Sequence, residues 1–69
     1  NLAAFYNNGN IILSGMVDRV EVYNVTGALV MNQAVESAFV DAQLKTGIYI
    51  VKMYNNTSNT ISTSKIIVK

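Results

Sequence analysis

The stretch Arg19-Val20-Glu21-Val22-Tyr23-Asn24-Val25-Thr26-Gly27-Ala28-Leu29-Val30-Met31-Asn32-Gln33 decides the fold class. Val20 and Val22 alternate with Glu21 and Tyr23, a period of two that sends the valines to one face of an extended chain. Asn24-Val25-Thr26-Gly27 interrupts the alternation, with Gly27 at a position suited to a left-handed backbone. Ala28-Leu29-Val30-Met31 then resumes as the return strand, so Arg19 to Gln33 reads as a β-hairpin with one half-buried face.

Working outward, Leu2 to Tyr6 and Asn10 to Ser14 flank Asn7-Asn8-Gly9. Asn-Gly between apolar runs is the strongest short hairpin signal, because both residues tolerate the positive φ of a type I′ turn. Ala34 to Val40 holds a weaker strand, and in Asp41-Ala42-Gln43-Leu44-Lys45-Thr46-Gly47 the aspartate is placed to cap a single helical turn that Gly47 ends. A short turn is expected there, not a helix. Ile48 to Tyr54 carries Ile48 and Ile50 on one side and Tyr49, Val51 and Met53 on the other, the pattern of a central strand. Asn55 to Asn59 is a polar loop, and the chain runs extended from Thr60 to its end.

The composition agrees with this pattern. Val, Ile, Thr and Tyr outnumber Leu, Glu, Lys, Arg and Gln, a strand-forming bias, and the 9 Asn and 4 Gly fall mostly between apolar stretches. About seven short antiparallel strands at roughly ten-residue spacing suggest a small all-β sandwich, with an open barrel as the alternative. Residues 1–69 form one domain at most, and the expected core is Val20, Val22, Leu29, Tyr49, Val51, Ile66 and Val68. A chain this short buries only about 60% of its unfolded surface, and without Cys or His it has neither a disulfide nor a Cys/His zinc site to help. A marginal core with an apolar edge strand predicts a strand-exchanged homodimer when the domain is isolated, seen by sedimentation at high concentration.

The same composition narrows function. No cysteine, histidine, proline or tryptophan is present, which removes thiol and imidazole nucleophiles, histidine bases and Cys/His zinc sites. Asp18, Glu21, Glu36 and Asp41 are too dispersed in sequence to make an evident acid and base pair, and no metal or cofactor is expected. A net charge of +1 is too weak a field to hold a phosphate backbone, which argues against nucleic acid. No apolar run approaches the roughly 20 residues that a membrane-spanning helix needs. The chain starts at Asn1 with no basic or continuously apolar leader, so it is expected to be excised from a longer polypeptide whose export signal lies outside it. Asn24-Val25-Thr26, Asn55-Asn56-Thr57 and Asn56-Thr57-Ser58 fit the glycosylation pattern, but this composition supplies about one such match by chance, and they are assigned no role.

Three places invite a functional reading beside a structural one. Gly27 and Gly47 stand where the backbone turns, and Tyr49 reads as a buried ring with a hydrogen-bonded hydroxyl. Lys65, Ile67 and Lys69 share one face of the last strand while Ile66 and Val68 share the other, leaving two cations around an apolar centre. Periodicity alone reads these lysines as guards against edge aggregation.

Val20-Glu21-Val22-Tyr23-Asn24-Val25-Thr26-Gly27-Ala28-Leu29-Val30, Leu44-Lys45-Thr46-Gly47-Ile48-Tyr49-Ile50-Val51-Lys52 and Lys65-Ile66-Ile67-Val68-Lys69, in that order and spacing, resemble the C-terminal sorting domain of type IX secretion cargo, type A. The resemblance covers about Ile11 to Lys69. It implies a seven-stranded immunoglobulin-like antiparallel β-sandwich at the end of proteins exported through the periplasm of certain Gram-negative bacteria. In that family the domain is a signal rather than an enzyme. It is recognised by the outer-membrane translocon and a shuttle protein, and a surface sortase removes it from many cargoes at the cell surface or in the extracellular space. Lys65, Ile66, Ile67, Val68 and Lys69 then become the translocon-recognition segment, with Gly27, Gly47 and Tyr49 as scaffold of the signal motifs. Lys65 to Lys69 is expected to peel away at low cost and add as a strand to a partner sheet. The chain departs from the family in lacking the Asn-Pro entry stretch, where Tyr6-Asn7-Asn8-Gly9 stands nearest, and in having Ala42 and Lys45 around Leu44 in place of Ser and Pro. The other expectation is an immunoglobulin-like structural or adhesive module that stays on the mature protein and binds glycans.

Overall fold

The computed structural model describes residues 2–69. Its seven strands are β1 (Ala3–Asn7), β2 (Asn10–Ser14), β3 (Arg19–Asn24), β4 (Leu29–Ala34), β5 (Phe39–Asp41), β6 (Gly47–Asn55) and β7 (Thr60–Val68), with no helix among the described residues. They form two antiparallel sheets, of order β1-β2-β5 and β4-β3-β6-β7. The chain is thus all-β, as the alternation requires.

Local chemistry explains the hairpins. Asn8 and Gly9 have φ of 50° and 82°, the pair of positive values that a two-residue I′ turn demands, and Asn7 pairs with Asn10 around them. At the β3–β4 turn the Asn24 side chain is the organiser: its Oδ1 accepts from the Thr26 amide at 3.1 Å, the Thr26 hydroxyl at 2.7 Å and the Ala28 amide at 3.0 Å. Gly27 closes that turn with φ 88°, and nothing lies within 4 Å of where its Cβ would stand, so its requirement is one of backbone and not of space.

The inner faces of the two sheets meet in one core. Ala4, Ile11, Leu13 and Val40 come from the three-stranded sheet, and Val20, Val22, Tyr49, Val51, Met53, Ile66 and Val68 from the four-stranded one, joined by Val17 and Ala42 from the connections. Among the described residues no polar or charged residue is buried. Six of the seven expected core residues are in place, and Leu29 is not: it is 50% exposed. The reason is a β-bulge between Val22 and Tyr23, where the register moves from Val22 opposite Met31 to Tyr23 opposite Leu29. Val30 is the extra residue. Because side chains alternate with a period of two, one inserted residue turns Leu29 to the outer face, and Met31 packs against the core instead.

Two local expectations also change. The strand expected over Ala34 to Val40 is displaced: Ala34 closes β4, residues 35–38 are irregular, and β5 begins at Phe39. Asp41 caps no helical turn, since it closes β5 opposite Asn10, and the following amide of Ala42 donates to the Gly9 carbonyl at 2.8 Å. Pairing with β2 satisfies backbone groups that a one-turn helix would leave open.

These positions separate by their response to truncation. Met53, fully buried, loses about 2–5 kcal/mol of stability on Met53→Ala. Leu29→Ala stays within about 0.5 kcal/mol because the side chain packs against no interior. Thermal unfolding of the two variants checks the bulge assignment, and equal losses would contradict it.

Candidate functional site

The three motif segments are neighbours in space. β3 lies beside β6, with Tyr23 opposite Ile50 and Asn24 opposite Tyr49. β6 lies beside β7, with Gly47 opposite Val68, Ile48 opposite Ile67, Tyr49 opposite Ile66 and Ile50 opposite Lys65. Gly47 and Tyr49 therefore back the last five residues directly, whereas Gly27 sits at the far end of the β3–β4 hairpin. Tyr49 is buried, and its hydroxyl donates to the Lys45 carbonyl at 2.8 Å. From the opposite sheet, the Tyr6 hydroxyl donates to the Ala42 carbonyl at 2.7 Å. Two tyrosines, one from each sheet, thus hold the β5–β6 connection between them.

β7 is an edge strand of its sheet. Ile66 and Val68 point into the core at 3% and 4% exposure, while Lys65, Ile67 and Lys69 are exposed. On the side away from β6, contact with β1 runs through side chains: the Ala4 amide donates to Ser64 Oγ at 3.3 Å and the Ser62 hydroxyl to the Leu2 carbonyl at 3.5 Å. Peeling this strand is not cheap, contrary to the sequence expectation. It withdraws two buried aliphatic side chains, each contributing about 1.5–3 kcal/mol. The exposed half of the segment is available without that cost.

The outward face of the four-stranded sheet holds a cluster that sequence reasoning passed over. Glu21 Oε1 accepts from the Tyr54 hydroxyl at 2.6 Å and from the Tyr23 hydroxyl at 2.9 Å, and Lys52 Nζ stands 5.5 Å from the centre of the Tyr54 ring. The Tyr54 hydroxyl, then the Tyr23 hydroxyl, hold the Glu21 carboxyl below the usual glutamate range. The Glu21 hydrogen bond in turn raises Tyr23, and Tyr54 raises Lys52. Alternation places Glu21 and Tyr23 on one face and Lys52 and Tyr54 on another. Only the long-range register of β3 on β6, with Glu21 opposite Lys52, makes them one face.

A cleft of about 530 Å³ is lined by Leu2, Gly15, Met16, Asn55, Ser58, Ile61 and neighbouring hydroxyl residues, with no ionisable side chain in its lining. Among the described residues no three carboxylates gather as a metal site, and no helix is long and apolar enough to cross a membrane.

An all-β unit whose signal-like segments share one sheet defines a recognition module. Residues 6–69 match the family described as "Secretion system C-terminal sorting domain", and the chain belongs to that family, the sorting domains of type IX secretion. The match runs from β1 through the last residue. It is a family of sorting signals and not of enzymes, and it implies interaction with the secretion system and export to the cell surface or extracellular space. No curated protein and no solved structure matches the chain.

The Glu21 pair is testable by titration. A carboxylate with a depressed folded-state pKa contributes stability above its unfolded-state pKa, and loses that contribution as pH falls through the folded one. Side-chain NMR should place the Glu21 midpoint below the ordinary glutamate range, Tyr54→Phe should raise it, and Tyr23→Phe should raise it less. An unchanged midpoint in both variants would remove the tyrosines as its cause.

Proposed function

We propose that residues 1–69 form a single sorting domain that carries a cargo protein through the outer-membrane translocon of a Gram-negative bacterium, where a shuttle protein and a surface sortase also engage it. The membership of residues 6–69 in the type IX sorting family is the observation that carries this reading. The arrangement of the sheets supports an immunoglobulin-like sandwich: β3, β6 and β7 are consecutive in one sheet, as strands C, F and G are in that fold, and β4 joins them at the edge. An adhesive module retained on the mature protein has no observation in its favour.

Recognition centres on Lys65 to Lys69. Lys65, Ile67 and Lys69 meet the translocon with β7 in place, while Ile66 and Val68 hold the segment on the core. Gly27, Gly47 and Tyr49 act as scaffold: the turn at Gly27 and the hydroxyl anchor at Tyr49 fix the strands that present it. In an isolated domain, the open edges at β4 and β5 dispose the chain to pair with a second copy.

The experiment is a double charge reversal, Lys65→Glu with Lys69→Glu, read by surface yield of the cargo against thermal stability of the domain. Both side chains are exposed, so stability should move by less than about 0.5 kcal/mol. Surface yield should fall about tenfold, the equivalent of roughly 1.4 kcal/mol of lost recognition. Normal export of the variant would leave the lysines as gatekeepers of an edge strand and nothing more.

A further inference from the structure

Charge is not evenly spread over this nearly neutral chain. Its strands place Arg19, Glu21, Lys52, Lys65 and Lys69 together on the outward face of the four-stranded sheet, which is +3. The remaining charged residues, Asp18, Glu36, Asp41 and Lys45, sum to −2, and the two together reproduce the formal +1 of the whole chain. The single acid on the basic face is not free, because Tyr54 and Tyr23 already hold its carboxylate.

The same face is apolar at its centre. Leu29, Tyr23 and Ile50 form a row across β4, β3 and β6, and Ile48 with Ile67 forms the next across β6 and β7. Leu29 is 50%, Ile48 42%, Ile50 37% and Ile67 57% exposed, and no element of the described chain covers them. The tyrosine rings are half-buried and their hydroxyls are tied to Glu21, so they offer contact area with little rotamer freedom left to lose. Clustered apolar side chains beside fixed aromatic rings and an arginine have the anatomy of an interface centre.

We infer that this whole face, from Leu29 on β4 to Lys65 on β7, docks an apolar protein surface with an acidic rim in the secretion machinery. The inference rests on the sorting-signal reading and extends it from the last strand to the sheet. Charge selects the occupant. The four cations of the face lie around an apolar centre with Glu21 among them, on a sheet and not on an amphipathic helix or beside a membrane span where polybasic lipid-binding patches occur, which disfavours an anionic membrane. A second copy would set this basic face against itself, or would offer its other face, where the row Phe5, Ile12 and Phe39 has beside it a single acid, Asp41, against four cations. An acidic-rimmed protein surface matches both the charge and the apolar centre.

The test uses the full-length parent protein in cells that secrete it. Arg19→Glu with Leu29→Ser alters the face at β3 and β4, well away from Lys65 to Lys69. It should lower surface yield about tenfold, while the retained protein stays as protease-resistant as wild type; Arg19→Lys should export normally. Phe5→Ser on the opposite sheet should also export normally. A photocrosslinking side chain at position 29 should join the parent to a component of the secretion machinery, and one at position 5 should not. Normal export of Arg19→Glu/Leu29→Ser, failure of Arg19→Lys, or adducts at position 29 only with lipid or with a second copy of the parent would each overturn the inference. Should the face variant export while Lys65→Glu/Lys69→Glu stalls, the sorting reading stands without this extension. Export that survives removal of the whole domain would instead overturn the sorting reading itself.

Discussion

Val22 on β3 stands opposite Val51 on β6, and neither has any solvent contact. Everything else in the structure depends on this pairing of central strands. A 69-residue chain without cysteine has no covalent staple, so its inward positions must all be apolar for the core to offset ordering entropy. The molecule comes close to that constraint: among the described residues no polar residue is buried and no buried side-chain atom is unsatisfied, and the inward Ser62 and Ser64 of β7 are half-buried, hydrogen-bonded to Leu2 and Ala4. Charged groups are therefore confined to outer faces, turns and connections.

The surface of the four-stranded sheet is assembled from distant parts of the chain. Val20 to Val30, Leu44 to Lys52 and Lys65 to Lys69 are separate in sequence and adjacent in the four-stranded sheet, with β6 as the strand they share. The β5–β6 connection that delivers β6 to its place is pinned by the Tyr6 and Tyr49 hydroxyls. Ile66 and Val68 complete the link, since the strand that exposes Lys65 and Ile67 is held by the core behind it.

The sequence showed the local features well and the non-local ones poorly. Alternation in Val20 to Tyr23, the Asn8-Gly9 turn and the two-sided apolar run from Ile48 are each written within a few residues, and each appears in the structure. Leu29 could not be placed, because its face depends on a bulge opposite Val22, a property of two strands together. Asp41 looked like a cap because cap chemistry is local, but pairing with β2, some thirty residues earlier, decided its role. Glu21 and Tyr54 are likewise far apart in the chain and meet only through register. The alternation of the last strand could be read, with Ile66 and Val68 inward, while the strands that lie beside it could not.

The central claim is that the signal is a folded surface, presented by the sheet, and not a linear tail. Surface delivery of a periplasmic reporter protein, fused either to residues 1–69 or to the pentapeptide Lys65 to Lys69 alone, tests it directly in a strain with an active type IX system. The account predicts that the 69-residue fusion reaches the cell surface and that the pentapeptide fusion stays in the periplasm. Equal delivery by the pentapeptide would contradict it.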